Sequence, residues 1–151
     1  MMQTNILEYL EHTVTRVPDK VAFANDVMGL TFRETYDQAR AVGSFLHSEG
    51  FYKQPVVVFM KKHPTTLVSF FGTIYSGNYY VPLDDEMPSH RIDLILRTLK
   101  PQAMICDEDT QELVKQFAYE GKTYIYSDIC HTPVNEAALA SIRDKQIDTD
   151  P

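Results

Sequence analysis

A chain of 151 residues is one domain's worth of polypeptide and can bury roughly two-thirds of its unfolded surface, enough for a core of its own. A hydrophobic share of 44% with 23% charged residues is that of an ordinary globular protein and excludes a disordered or fibrous chain. The net charge of -7, with no basic run longer than Lys61-Lys62, excludes nucleic acid and an anionic membrane surface as default partners. No apolar run approaches the ~20 residues of a bilayer span, and no basic-then-apolar leader opens the chain, so a cytoplasmic location is expected. Cys106 and Cys130 lack a partner motif and read as free thiols.

In chain order, Thr4 or Asn5 is placed to cap an opening helix whose apolar positions Ile6, Leu10, Val14 and Val17 recur at helical spacing before Pro18. Val21 and Phe23 alternate in a short strand, and the turn Asn25 to Gly29 leads to a second strand at Leu30 to Phe32, predicting a hairpin. Thr31 and Glu34 have the spacing of a capping box. The helix that follows is expected to bury Tyr36, Ala39, Gly43 and Leu46 and to stop at Gly50. Pro55 to Met60 is apolar without alternation, the mark of a central parallel strand covered on both faces.

His63-Pro64 opens another helix, with Leu67, Phe70, Phe71 and Ile74 as its expected buried stripe up to Gly77. Asn78 to Val81 reads as a strand, Ile92, Ile95, Leu96 and Leu99 as a crossover helix ending at Lys100, and Ala103 to Cys106 as the next strand. Asp109 with Glu112 is expected to cap a helix running through Leu113 and Phe117, before a last strand at Thr123 to Tyr126 and a short helix at Asn135 to Ile142. Residues 1–142 then form a single α/β subdomain and residues 143–151 a polar linker. The order predicts a mostly parallel, twisted sheet with helices on both faces and an N-terminal β-hairpin.

In such sheets ligands sit beyond the carboxyl ends of strands, which here directs attention to Asn25, Lys61 to His63, Pro82 to Glu86, and Cys106 to Asp109. Each has an ordinary structural explanation. Asp84, Asp85 and Glu86 offer oxygens to a divalent cation, but three consecutive carboxylates point in different directions and read better as a solvated turn between Pro82 and Pro88. His63 and His90 stand at helix starts and read as caps. Ser69, Ser76 and Ser89 have neither an elbow sequence nor a nearby base. Tyr79, Tyr80, Tyr124 and Tyr126 read as sheet packing. The scattered glycines form no dinucleotide fingerprint or phosphate loop.

Two segments carry a family signal. Leu30-Thr31-Phe32-Arg33-Glu34 resembles the first core motif of AMP-forming adenylating ligases, and Gly77 through Asp84, with its Tyr-x-Pro-aliphatic-Asp order, resembles the second. Pro88 through Ile92 is similar to the continuation in the amino-acid-activating members, the D-alanine–carrier-protein ligase and nonribosomal peptide synthetase type. Thr35 stands where a leucine commonly closes the first motif, Tyr75-Ser76 replaces a lysine-alanine pair, and Asp85 replaces a frequent proline.

The resemblance implies the N-terminal subdomain of that ligase fold. It also implies a parent that converts a carboxylate and ATP, with magnesium, into an acyl-adenylate and passes the acyl group to a phosphopantetheine carrier protein. The family's phosphate loop, ribose-binding aspartate and catalytic lysine lie beyond Pro151 in its members. The expectation is therefore a fragment inactive alone, with no catalytic, cofactor-binding or metal residue of its own. Its partners would be the parent's remaining subdomains and the carrier protein, and its exposed subdomain face suggests a dimer. A non-catalytic small-nucleotide-binding or protein-interaction module is the alternative.

Overall fold

The computed structural model describes residues 6–25 and 28–145. Thr4 and Asn5 as caps, Asp26-Val27 of the hairpin turn and the linker residues 146–151 lie outside the described residues. Helix α1 (Ile6–Arg16) buries Leu7, Leu10 and Val14, while Ile6 and Val17 are exposed. The buried stripe thus runs through Leu7, next to the expected Ile6, because Leu7 completes the i, i+3, i+7 face with Leu10 and Val14. Strands β1 (Val21–Ala24) and β2 (Gly29–Thr31) pair antiparallel as the expected hairpin.

Thr31 ends β2 and caps helix α2 (Phe32–Ser48). The Glu34 N–H donates to Thr31 Oγ1 at 3.1 Å, and the Thr31 N–H donates to Glu34 Oε1 at 3.0 Å. The capping box read from the sequence is present and satisfies donors that a helix start leaves free.

Strand β3 (Pro55–Phe59) is buried along its whole length between β4 (Tyr79–Leu83) and β5 (Ala103–Cys106), and β6 (Lys122–Ile125) lies beyond β5. All three pairings are parallel, and the sheet order is β4-β3-β5-β6. One face, carrying Val56, Val58, Ala103 and Ile105, packs in a core shared with α1, α2, α3 (Pro64–Tyr75), α6 (Tyr126–Ile129) and α7 (Glu136–Lys145). The other, carrying Val57, Phe59, Met104 and Cys106, meets α4 (Ser89–Leu99) and α5 (Glu108–Val114). This is the α/β layering expected, with helices on both faces.

Helix α3 corrects the sequence reading of its faces. Val68, Ser69, Gly72, Thr73 and Tyr75 are buried, whereas Leu67, Phe70, Phe71 and Ile74 are half-buried. This face goes inward because α3 crosses α2 closely at two glycines: a Cβ on Gly72 would lie 2.6 Å from Val42 Cβ, and one on Gly43 would lie 2.7 Å from Tyr75 Cβ. No side chain fits at Gly72 or Gly43 themselves, and Tyr75, fully buried on the same face, packs against Gly43.

Other boundaries also differ from expectation. Helix α5 starts at Glu108 with Asp107 as cap, in place of the expected Asp109 with Glu112, and it ends at Val114, short of Phe117. Tyr126 leaves the last strand to open α6, its hydroxyl donating to Gln38. Strand β4 runs to Leu83, past the expected Val81, because Pro82, which lacks an N–H, is tolerated on an edge strand. Helix α7 continues to Lys145, three residues into the segment expected as linker, and Arg143 donates to Glu11 Oε1 at 2.9 Å.

Asn78 was not anticipated as a structural polar residue. Its Oδ1 accepts from the Gln54 N–H at 2.9 Å, and its Nδ2 donates to Phe51 O at 3.1 Å and Ser76 Oγ at 2.7 Å, closing the loop before β3 onto the start of β4. Gly77 before it has φ +80, which favours glycine, and a Cβ there would meet the Tyr52 ring at 2.6 Å.

Candidate functional site

At the carboxyl ends of β3 and β4, an open cleft of about 790 Å³ lies between the hairpin and the start of α3. Its apolar walls include Phe23 from β1, Met60 after β3, Leu67 and Phe70 from α3, and Met87 beyond β4. Leu67 and Phe70, two of the four α3 residues expected in the buried stripe, therefore line this cleft, while Phe71 and Ile74 pack against the edge of the core. Phe70 stacks on Tyr80 with ring centroids 4.3 Å apart, and Phe71 meets Phe23 at 6.4 Å. A pattern of large apolar residues four apart on α3 was the available signal, but it does not say whether a stripe faces a filled core or an open groove.

Among the residues singled out from the sequence, Asn25, Lys62, His63, Pro82 and Asp84 come together around the cleft. Asn25 Nδ2 and His63 Nδ1 are 2.7 Å apart; since the amide nitrogen can only donate, Nδ1 accepts and the neutral ring's proton is on Nε2. His63 stands at the N-cap of α3, as the sequence reading had it, with its N–H donating to Thr66 Oγ1 at 3.4 Å, and its imidazole is also engaged across the fold with Asn25. Asn25 Oδ1 in turn accepts from the Met28 N–H at 2.8 Å, so one amide fixes the hairpin turn and ties it to α3. His90 is exposed on the first turn of α4, and no side chain caps that helix.

The acidic turn organises itself. The Glu86 N–H donates to Asp84 Oδ1 at 3.0 Å, and this bond, followed by the neighbouring Asp85 carboxyl, holds Asp84 below the usual carboxylate range. Asp85 is pushed up, first by burial and then by Asp84 beside it. Asp84 is therefore the more acidic of the two and already has a backbone donor.

The third segment, Cys106 to Asp109, is a stitch between strands. Asp107 Oδ1 accepts from the Thr110 N–H at 2.8 Å, and Oδ2 accepts from the Lys61 N–H at 2.9 Å. The Thr110 hydroxyl donates to Phe59 O at 2.6 Å. These bonds fasten the start of α5 to the end of β3, and burial pushes the Cys106 thiol up to about 12, leaving it protonated. Lys61 adds an exposed ion pair to Asp109 at 3.7 Å. Ser69 and Ser76 donate to the backbone carbonyls of Thr65 and Thr73, and Ser89 is exposed. Among the described residues no group of three His, Cys, Asp or Glu has metal-holding geometry, and no helix is long and apolar enough to cross a membrane.

A family model described as AMP-binding enzyme matches residues 10–150. The chain belongs to that family. D-alanine--D-alanyl carrier protein ligase of Listeria innocua is 34% identical over 110 residues, covering 72% of this chain and 22% of the relative. A mycosubtilin synthase of Bacillus subtilis is 29% identical over 113 residues, covering 74% of this chain and 4% of the relative. Among solved structures, VinN superposes on 95% of this chain and 37% of its own with a TM-score of 0.72 at 17% identity. The nonribosomal peptide synthetase FmoA3 does so on 87% of this chain and 14% of its own, with a TM-score of 0.75 at 19% identity.

The chain spans about a fifth of the length of the carrier-protein ligases it matches, 22% in the Listeria innocua case. The adenylating-ligase resemblance carried by Leu30 to Glu34 and Gly77 to Asp84 is borne out, including its tilt toward the D-alanine ligase and peptide-synthetase branches. Thr31 and Glu34 cap α2, while Gly77 and Asp84 bracket β4.

Proposed function

We propose that this chain is the N-terminal subdomain of a cytoplasmic, ATP-dependent ligase that adenylates an amino acid and transfers it to the thiol of a carrier protein. We further propose that the 151 residues are inactive alone. The observation that carries the reading is the family match across residues 10–150 in a chain that spans only 22% of a matched ligase.

The donor chemistry supports the second part. An ATP–magnesium site needs several backbone or hydroxyl donors converging on phosphates, together with oxygen ligands free to take the cation. Here Asp84 is bound within its own turn, Asp107 is divided between Thr110 and Lys61, and the Thr110 hydroxyl is spent on Phe59. These residues do not fit a triphosphate cradle, so ATP and magnesium are assigned to the full-length parent. The remaining subdomains are this chain's structural partners, and the carrier protein is a partner of the complete enzyme.

ATP–pyrophosphate exchange tests the assignment. Residues 1–151 should give no amino-acid-dependent exchange with D-alanine or the proteinogenic amino acids, whereas the chain carried within a complete ligase should. Exchange above background by the 151-residue chain would place the chemistry inside it and overturn the reading.

A further inference from the structure

The two edges of the sheet are built differently. At the β6 edge, Lys122 pairs with Glu49 at 3.9 Å and the Tyr124 hydroxyl donates to the same carboxylate at 2.7 Å, so a charge and a bonded aromatic guard the strand. A lysine on an edge strand opposes the addition of another strand. At the β4 edge, the five residues Tyr79-Tyr80-Val81-Pro82-Leu83 include no charge. Tyr79 is 48% and Tyr80 37% exposed. The register places Tyr80 with Val56 on the α3 side and Tyr79 with the opposite face, so the aromatic rings flank this open edge on both sides.

We propose that β4 is a self-pairing edge through which two copies of this chain align antiparallel, joining their four-stranded sheets into one of eight strands. Charge decides the occupant and its direction. Beside the start of β4 sit Lys53, whose N–H donates to Gly77 O at 3.0 Å, and Lys145; both ammonium groups lie 5.7 Å from the Tyr52 ring. Beyond its end sit Asp84, Asp85 and Glu86, with Lys62 near enough to act on Asp84 and Lys61 on Asp85, so that the acidic residues outnumber the cations beside them. An antiparallel two-fold sets each cationic end against the partner's acidic turn, whereas a parallel alignment would set like against like.

In the register centred on Val81 that sets these ends together, Tyr79 lies across from Leu83 of the second copy and Tyr80 across from its Pro82, so each ring packs on an apolar neighbour. Pro82 can donate no ladder bond, which keeps the ladder short and the association weak and reversible. The dimer expected from exposed apolar surface thereby acquires a defined face. The proposal is independent of the ligase assignment, since its test does not read activity.

Sedimentation velocity of the 151-residue chain at low salt, over an about 100-fold concentration range, should show a monomer–dimer equilibrium that weakens as salt rises. K53E and E86K, both at exposed positions, should each weaken association by about tenfold or more while circular dichroism stays unchanged. An equimolar mixture of K53E and E86K chains should recover association, because the mixed pair has opposite charges at both junctions. Hydrogen exchange should slow with concentration at the β4 amides and not at those of β6. A chain that stays monomeric throughout would overturn the proposal and leave the edge to another polypeptide. A dimer indifferent to both charge variants, or a mixture no better than either variant alone, would overturn it equally.

Discussion

Thr35 is fully buried, and its Oγ1 has no hydrogen-bond partner among the described residues. The same position departs from the ligase pattern, where a leucine commonly closes the first motif, so the departure has left a hydroxyl in apolar surroundings. An unpaired buried hydroxyl costs about 1–3 kcal/mol relative to a satisfied one. Thr35→Val keeps the branched shape and removes the orphan. It should raise the unfolding free energy by about 1 kcal/mol in urea titration; a loss of that size would mean the hydroxyl has a partner after all. Asp107 shows the opposite solution at 8% exposure, with two carboxylate oxygens accepting from two elements. The sequence showed an acidic residue near a helix start but not which one, because the choice of Asp107 over Asp109 depends on Phe59 at the end of β3 and on Lys61 just beyond it.

Among the elements, those set by local chemistry were the most legible. The Thr31–Glu34 box, the unbroken apolar run of β3 and the hairpin follow from spacing and composition within a few residues. What escaped depends on partners far along the chain. The inward face of α3 is chosen by α2, where Gly43 and Gly72 permit an approach that no residue on α3 alone announces. Gly72→Ala tests this packing, since alanine is the better helix former and would stabilise an isolated helix. In the folded chain its Cβ would sit 2.6 Å from Val42 Cβ, so the variant should lose about 1–3 kcal/mol by overpacking. A neutral or stabilising result in thermal or urea unfolding would show that the helices separate easily. The cleft was half legible: its strand-end position and its Asn25, Lys62, His63 and Asp84 lining followed from the fold type. The 38-residue reach between Asn25 and His63, and the apolar wall from α3, did not.

For the whole molecule, buried acidic groups of the thiol and phenol kind set an alkaline limit. Cys106 is pushed up to about 12 by burial, and burial likewise raises Tyr75, Tyr119 and Tyr126. A free thiol titrates near ~8.5, so the folded state holds the Cys106 proton after the unfolded chain has lost it. Its contribution is therefore fully present below about 8.5 and declines as pH rises from there toward 12, at no more than about 1.4 kcal/mol per pH unit. The urea midpoint should fall over that interval, and Cys106→Ala, compared with its own neutral-pH value, should fall less. Equal slopes would show that other groups carry the effect.

Glu11 receives the Tyr75 hydroxyl at 2.8 Å and Arg143 at 2.9 Å, so the first and last described helices are held side by side against the same helix α3. A longer polypeptide threading this unit would come in and go out at neighbouring points, with the sheet hanging from them as a closed lobe. Such a lobe can be borrowed, spliced into a surface loop of another protein or rotated in sequence by joining its two ends, without the host backbone having to span its breadth.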